Sequence, residues 1–315
     1  MSSEDKLTKF VREWSTRPLP VGIRELADAA RERHEGVVAV LFYGSCLRSG
    51  RADEGLADLY LLVDDYRRAF GSCFKACLNR LLPPNVFYQK INRQGKVLQS
   101  KYAVLTLEDF CKGTRRWFHS YIWGRFAQPA GLIYARDSET AARIHDAQAG
   151  AVHTFVRHAL PQTPATFTAR ELWTTGLGLT YRCELRSEGP ATAARLVDAA
   201  PDYYAAITHA ALERFDAALL SASRSEAFRY RHAIPAMRRV RNLLAWRVRQ
   251  VQGKVLSVLR LLKGLLTFEN GLDYILWKIE RHSGIRMEVS PALRRFPLLA
   301  VPVTFWKLFR KGGFR

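Results

Sequence analysis

Hydrophobic and polar positions change their period along the chain. Residues 21–34, VGIRELADAARERH, carry apolar side chains at helical spacing and stop at Gly36, which predicts an amphipathic helix. Val37 to Tyr43, VVAVLFY, is continuously apolar and predicts a buried strand running straight into Gly44-Ser45. A polar loop, CLRSGRADEGLA, separates it from a second strand expected over 58–63, DLYLLV. Residues 66–82 read as helix and stop at Pro83-Pro84, because proline cannot continue a helix. Strands are expected at 86–91 and 97–105, then a helix from about 107 to 122. From 139 the pattern turns mostly helical, at 139–159, 169–187, 190–199, 202–221 and 236–267, with Pro161 and Pro164 marking a boundary. The expected fold class is α/β + α. A mixed-sheet unit spans 1–138, a helical unit 139–226, and basic amphipathic helices with a tail 227–315. No internal repeat or low-complexity segment is visible.

Charge changes this picture. The chain has 315 residues, a formal charge of +20, 48% apolar and 25% charged residues. That apolar share supports a sizeable core and excludes disorder over most of the length. Between Glu226 and Glu269 there are ten Arg and Lys and no acid, and after Glu288 six more and no acid. Sixteen of the twenty excess charges thus sit in the last quarter, and such a concentration calls for an anionic partner. The same stretch is amphipathic, with Val240, Leu243, Leu244, Val248 and Val251 at helical spacing, then Val255, Val258, Leu259, Leu262, Leu265 and Leu266. Two readings stay open: a helix packed on the core with a solvated basic face, or one lying on anionic phospholipid. The tail, RRFPLLAVPVTFWKLFRK, brackets an apolar, aromatic-ended segment with basic clusters, the pattern of an interfacial anchor.

Its longest apolar run, Phe296 to Trp306, has eleven residues and two prolines, whereas a membrane span needs about twenty. The N-terminus, MSSEDKLTKFVREW, reads as neither secretory signal nor transit peptide. Five cysteines, an odd number at low density, argue against a disulfide framework. Cys73 and Cys77 lack a second ligand pair and make no metal site.

The candidate chemistry lies in VLFYGSCLRSGRADEGLADLYLLVDD. Gly44 permits close approach of a triphosphate to the backbone. Ser45 and the amides after it can donate to phosphate oxygens. Asp58, opening the next strand, can hold magnesium bridging the phosphates. A second acid two residues on would share the strand face, but Tyr60 stands there. Asp64 shares that face about 20 Å away, too far for the same metal. Asp53 and Glu54 in the loop are alternative ligands.

This strand, Gly-Ser turn and Asp-led strand have the layout of the nucleotidyltransferase superfamily. The chain more closely resembles the mitochondrial-type phosphatidate cytidylyltransferases, the translocator assembly and maintenance family. The resemblance rests on Tyr43-Gly44-Ser45, on Asp58 with Val63-Asp64-Asp65, on Asn85 with Tyr88, and on Lys101-Tyr102. It continues through Trp117, Tyr121, Gly124, Arg125, Gln128 and Pro129, with an echo in Ser257, Arg260, Lys263 and Gly264. Ala103 stands where that family has glycine, and Cys46-Leu47-Arg48 where a Gly-Val is common. The resemblance implies magnesium-dependent transfer of CMP from CTP to phosphatidic acid, giving CDP-diacylglycerol and pyrophosphate. It also implies a winged-helix-like middle domain and a C-terminal membrane-docking helix. Asp58 would hold the metal, and Gly44 and Ser45 the triphosphate. Lys101 would meet a phosphate or the leaving group, unless it is a solvent-facing strand lysine. Arg125 would pair bidentately with phosphate, unless it forms an ion pair. Tyr102 is grouped with the nucleotide-binding residues, and Arg260 and Lys263 with the lipid headgroup. Trp117 and Tyr121, four apart, read as core rather than a base-stacking platform.

Two rival functions remain: a nucleotidyltransferase acting on RNA, protein or a small molecule, and an inert membrane-associated homologue. No RNA module is recognisable, so an anionic membrane is favoured over nucleic acid as partner. A homodimer is compatible with the sequence. The expected location is peripheral, on the inner face of a bacterial cell membrane or, in a eukaryote, the mitochondrial inner membrane.

Overall fold

The computed structural model describes residues 5–51, 55–93, 95–185, 191–215, 217–221 and 228–267. Asp53, Glu54 and the apolar tail segment therefore lie outside the described residues. Helices α1 (Lys6–Ser15) and α2 (Ile23–Arg31) precede strand β1 (Val37–Tyr43), whose buried run matches its apolar sequence. The Gly44-Ser45 turn leads into a short helix, α3 (Ser45–Ser49), and then β2 (Leu56–Val63). The stretch 66–82 is two helices, not one. In α4 (Tyr66–Phe70) the Asp65 carboxylate caps the N-terminus, and Gly71, at φ +58°, ends it in the left-handed region. Ser72 then caps α5 (Cys73–Leu81) by accepting from Lys75 N.

β3 (Asn85–Arg93), β4 (Lys96–Thr106) and, after α6 (Leu107–Arg115) and α7 (Trp123–Phe126), β5 (Ala130–Ala135) complete a five-stranded mixed sheet in the order β3-β4-β2-β1-β5. β2 and β4 are parallel and the other pairs antiparallel. The helix expected from 107 to 122 ends at Arg115. Beyond it, carbonyls that a helix would use internally are claimed by tertiary donors: Trp123 Nε1 donates to Trp117 O (3.1 Å), Arg249 Nε to Phe118 O (2.8 Å) and Arg125 Nη1 to Tyr121 O (2.7 Å). Tertiary pairing overrides local propensity here.

Helix α8 (Ser138–Ala159), capped by Asp137, crosses one face of the sheet. β6 (Thr166–Thr168), α9 (Ala169–Arg182), α10 (Ala191–Asp198), α11 (Pro201–Leu212), β7 (Ala217–Ser221) and β8 (Arg229–His232) follow. The helix expected over 202–221 stops at Leu212, and Ala217–Ser221 pairs with β8 instead. With β6 this makes a three-stranded sheet, β6-β8-β7, that alternation did not announce. Thr168 and Glu171 form a capping box on α9. The last described helix is α12 (Ala236–Thr267).

Two apolar clusters cover the two faces of the large sheet. One, with Val40, Phe42, Leu59, Leu61, Tyr102 and Val104, packs under α2 and α4. The other, with Leu41, Tyr60, Leu62, Ala103 and Leu105, continues through Phe126 and Phe155 to Trp173 and Tyr204. No described helix is long and apolar enough to cross a membrane.

Candidate active site

Strand register builds the site. Tyr43 of β1 lies opposite Asp58 of β2, Asp58 beside Lys101 of β4, and Lys101 opposite Tyr88 of β3. These residues form one row across the sheet, and laterally paired residues share a face. Lys101 Nζ lies 2.8 Å from Asp58 Oδ1. The contact is an ion pair outside aligned hydrogen-bond geometry, so Oδ1 is a buried oxygen with acceptor capacity to spare. Asp58 is 14% exposed and Lys101 40%, so the pair opens to solvent on the lysine side.

Gly44 has φ +94°, a conformation other residues rarely adopt. A Cβ there would fall 2.5 Å from Asp58 Oδ2. The glycine is therefore needed twice over, for its backbone angle and for the space beside the carboxylate. Ser45 follows as the first residue of α3. The structure thus brings Gly44, Ser45, Asp58 and Lys101 together, with Lys101 on Asp58 rather than open to solvent alone.

A cationic cluster adjoins them through two phenols. The Tyr43 and Tyr60 ring centroids are 5.5 Å apart, and both phenols act electrostatically on Arg125. Arg125 Nη2 donates to Glu184 Oε2 at 2.9 Å, while Nε has no partner. Burial opposes its charge, but Glu184 and the phenols of Tyr121, Tyr60 and Tyr43 more than offset this and raise the guanidinium above its ordinary value. Arg260, arriving from α12, donates Nε to Pro83 O at 2.8 Å. The two guanidinium carbons lie 4.0 Å (Arg125) and 4.1 Å (Arg260) from the Tyr121 ring centroid. Burial and the neighbouring Arg125 charge lower Arg260, against the opposing pull of Tyr121. Burial pushes the Tyr60 hydroxyl well above the usual phenol range, so it stays protonated.

Two residues grouped with the site lie apart from it. Tyr102 follows Lys101 on β4, so alternation carries its ring to the other face. There it stacks on Phe87 at 5.2 Å, with its hydroxyl 3.4 Å from His34 Nε2. Lys263 is buried and donates to Asn79 Oδ1 (2.8 Å), Leu82 O (2.5 Å) and Pro84 O (3.0 Å). Burial and Arg260 push its ammonium down to about 7. Tyr121 sits outside any helix and carries the two guanidiniums. Glu184 follows α9 and has no motif around it, so no sequence signal marked it.

Among the described residues no group of three or more His, Cys, Asp or Glu gathers to bind a metal. Magnesium does not require one, because it takes one or two carboxylates and completes its shell with water and substrate phosphates. Asp58, whose Oδ1 is ion-paired with Lys101 and whose Oδ2 lies beside the Gly44 cradle, supplies the one carboxylate such a metal would need. The sequence model of the family described as "Phosphatidate cytidylyltransferase, mitochondrial" matches residues 65–243, more than half of the chain. No curated protein matches the chain.

Proposed function

The chain belongs to the mitochondrial phosphatidate cytidylyltransferase family, and on that premise we propose that Asp58 and Lys101 of the sheet, with the Gly44-Ser45 turn beside them, carry its chemistry. The enzyme transfers CMP from CTP to phosphatidate. A phosphate oxygen of the lipid bonds to the α-phosphorus of CTP as the bond to pyrophosphate breaks. The nucleophile is already anionic, so no strong base is needed, and alignment with charge neutralisation supplies most of the rate. Gly44 lets the triphosphate lie against the backbone, and Ser45 donates to it. Lys101 neutralises charge on the departing pyrophosphate. Asp58 is the residue to hold magnesium, which when bound polarises and screens the phosphates. Arg125 forms the ion pair that was its alternative reading, with Glu184, and so fixes the Tyr121 platform, while Arg260 on the same ring is the guanidinium offered to the acceptor phosphate. Tyr102 and Lys263 support the scaffold instead.

The order α8, β6, α9, α10, α11, β7, β8 with its small sheet supports a winged-helix-like middle unit. Peripheral membrane attachment is supported by α12. Its residues Met237, Val240, Leu243, Leu244, Val248, Val251, Val255, Val258 and Leu259 are each 43% to 72% exposed, while Trp246, Arg249 and Lys263 face inward and are buried. The described part of the helix turns Arg249 and Lys263 inward, leaves Arg238, Arg241, Arg247 and Lys254 exposed, and sets an apolar stripe beside them, which supports a lipid surface over a merely solvated basic face. The family's description supports the mitochondrial location, and nothing in the comparison supports the bacterial one.

The observation that carries the residue assignment is the Gly44–Asp58 contact. Calorimetric titration of CTP with magnesium tests it. The wild type binds, and Asp58→Asn loses the metal-dependent part. Equal metal-dependent binding by Asp58→Asn overturns the assignment.

A further inference from the structure

A second acid-free stretch lies far from the C-terminus. Between Asp65 and Glu108 the sequence holds eight Arg and Lys and no Asp or Glu. Helix α5 lies inside it. The inner face of α5 seats Asn79, whose amide donates to Val104 O at 3.3 Å. Its outer face exposes Phe74 (62%) and Leu81 (76%), with the exposed thiols Cys73 and Cys77 beside and between them. Positions 74, 77 and 81 form one helical stripe, and Lys75 and Arg80 flank it. A solvated helix keeps such residues inside, so this face is built for contact.

Its neighbour identifies the contact. The carbonyls of Leu82 and Pro84, just past α5, accept from Lys263 of α12. Lys263 therefore joins the end of α5 to the helix that carries the exposed apolar stripe. Both elements lie in acid-free sequence, and both pair exposed apolar side chains with cations, the complement of an anionic bilayer.

We infer that α5 is a second footing on an anionic phospholipid bilayer. Phe74 and Leu81 enter the interface, Lys75 meets lipid phosphates, and Arg80 exchanges its loose ion pair with Asp65 (3.8 Å) for another. The inference rests on the docking of α12 and extends it to the sheet that holds Asp58. Two joined footings bind more tightly than either alone, because the second engages at high effective concentration. They also fix how the sheet is turned toward the lipid.

The test uses the full chain on vesicles of phosphatidylcholine containing phosphatidate. Cys73 and Cys77 are exposed, whereas burial raises the thiols of Cys46, Cys111 and Cys183, so an environment-sensitive maleimide dye labels α5 selectively. A Cys73→Ser/Cys77→Ser chain gives the background. The expected result is a blue shift on vesicles, together with roughly tenfold weaker flotation of Phe74→Ser/Leu81→Ser. Turnover of that variant on a soluble short-chain phosphatidate stays unchanged. Flotation with an unshifted dye and an undiminished variant overturns this inference while docking through α12 stands. Failure of the wild type to float overturns both. A switch of Phe74→Ser/Leu81→Ser from dimer to monomer in sedimentation overturns it in favour of a second copy.

Discussion

Gly44 and Asp58 are in contact at the proposed site, and each can be changed alone. Gly44→Ala places a methyl group against the Asp58 carboxylate at a positive φ. It should cost about 1–3 kcal/mol of stability, measured by denaturant unfolding, and remove CTP binding. Asp58→Asn keeps the shape and removes the charge. Turnover should fall roughly a thousandfold, the scale of several kcal/mol of charge stabilisation, as read by pyrophosphate release. Both residues were legible in the sequence, because a Gly-Ser turn after a buried strand and an aspartate opening the next are local patterns. The Asp58–Lys101 pairing was not, since parallel register between β2 and β4 is a long-range fact. Nor was Glu184, whose partner Arg125 lies 59 positions away. Tyr102 is parted from Lys101 for a simple reason: a motif names adjacent residues, but a strand sends them to opposite faces.

Helix α12 is held by inward cations and close packing. A Cβ on Gly253 would fall 2.2 Å from Cys183 O, so Gly253→Val should push the helix off α9 and destabilise by about 1–3 kcal/mol, read as a lower unfolding midpoint. Two imidazoles beneath it should make it acid-sensitive. Burial and then Arg260 lower His119 to about 4, and burial and then Arg249 lower His158 to about 3, from 6.5. Both are neutral when folded and charge more readily when unfolded. The stability they allow is present above 6.5 and is lost as pH falls toward 4 and then 3. Thermal midpoints between these pH values should therefore drop, and His119→Asn/His158→Asn should flatten that slope. The start of α12 was readable from its periodicity, at 236 in both cases, and the helix runs to Thr267, the last described residue. Which face turns inward was not. Periodicity finds a stripe but not its partner, and here Trp246, Arg249 and Lys263 found carbonyls and rings on the body. The break at 71 and the early end at Arg115 were hidden for related reasons, a left-handed glycine in one case and tertiary claims on carbonyls in the other.

At the scale of the molecule, the proposed function needs the sheet to bind nucleotide and the exposed stripe of α12 to meet lipid. Placing an acid in the exposed stripe, as in Leu244→Asp/Val248→Asp, should lower flotation on anionic vesicles about tenfold or more, because charge in an interfacial apolar face is costly. Binding of CTP in solution should persist, since neither side chain touches the Asp58 row. The most direct test of the whole account follows labelled CTP into vesicles containing phosphatidate, with wild type and Asp58→Asn side by side. The account predicts magnesium-dependent label in CDP-diacylglycerol for the wild type and almost none for the variant. Equal labelling by both, or no lipid product from the wild type, would contradict it.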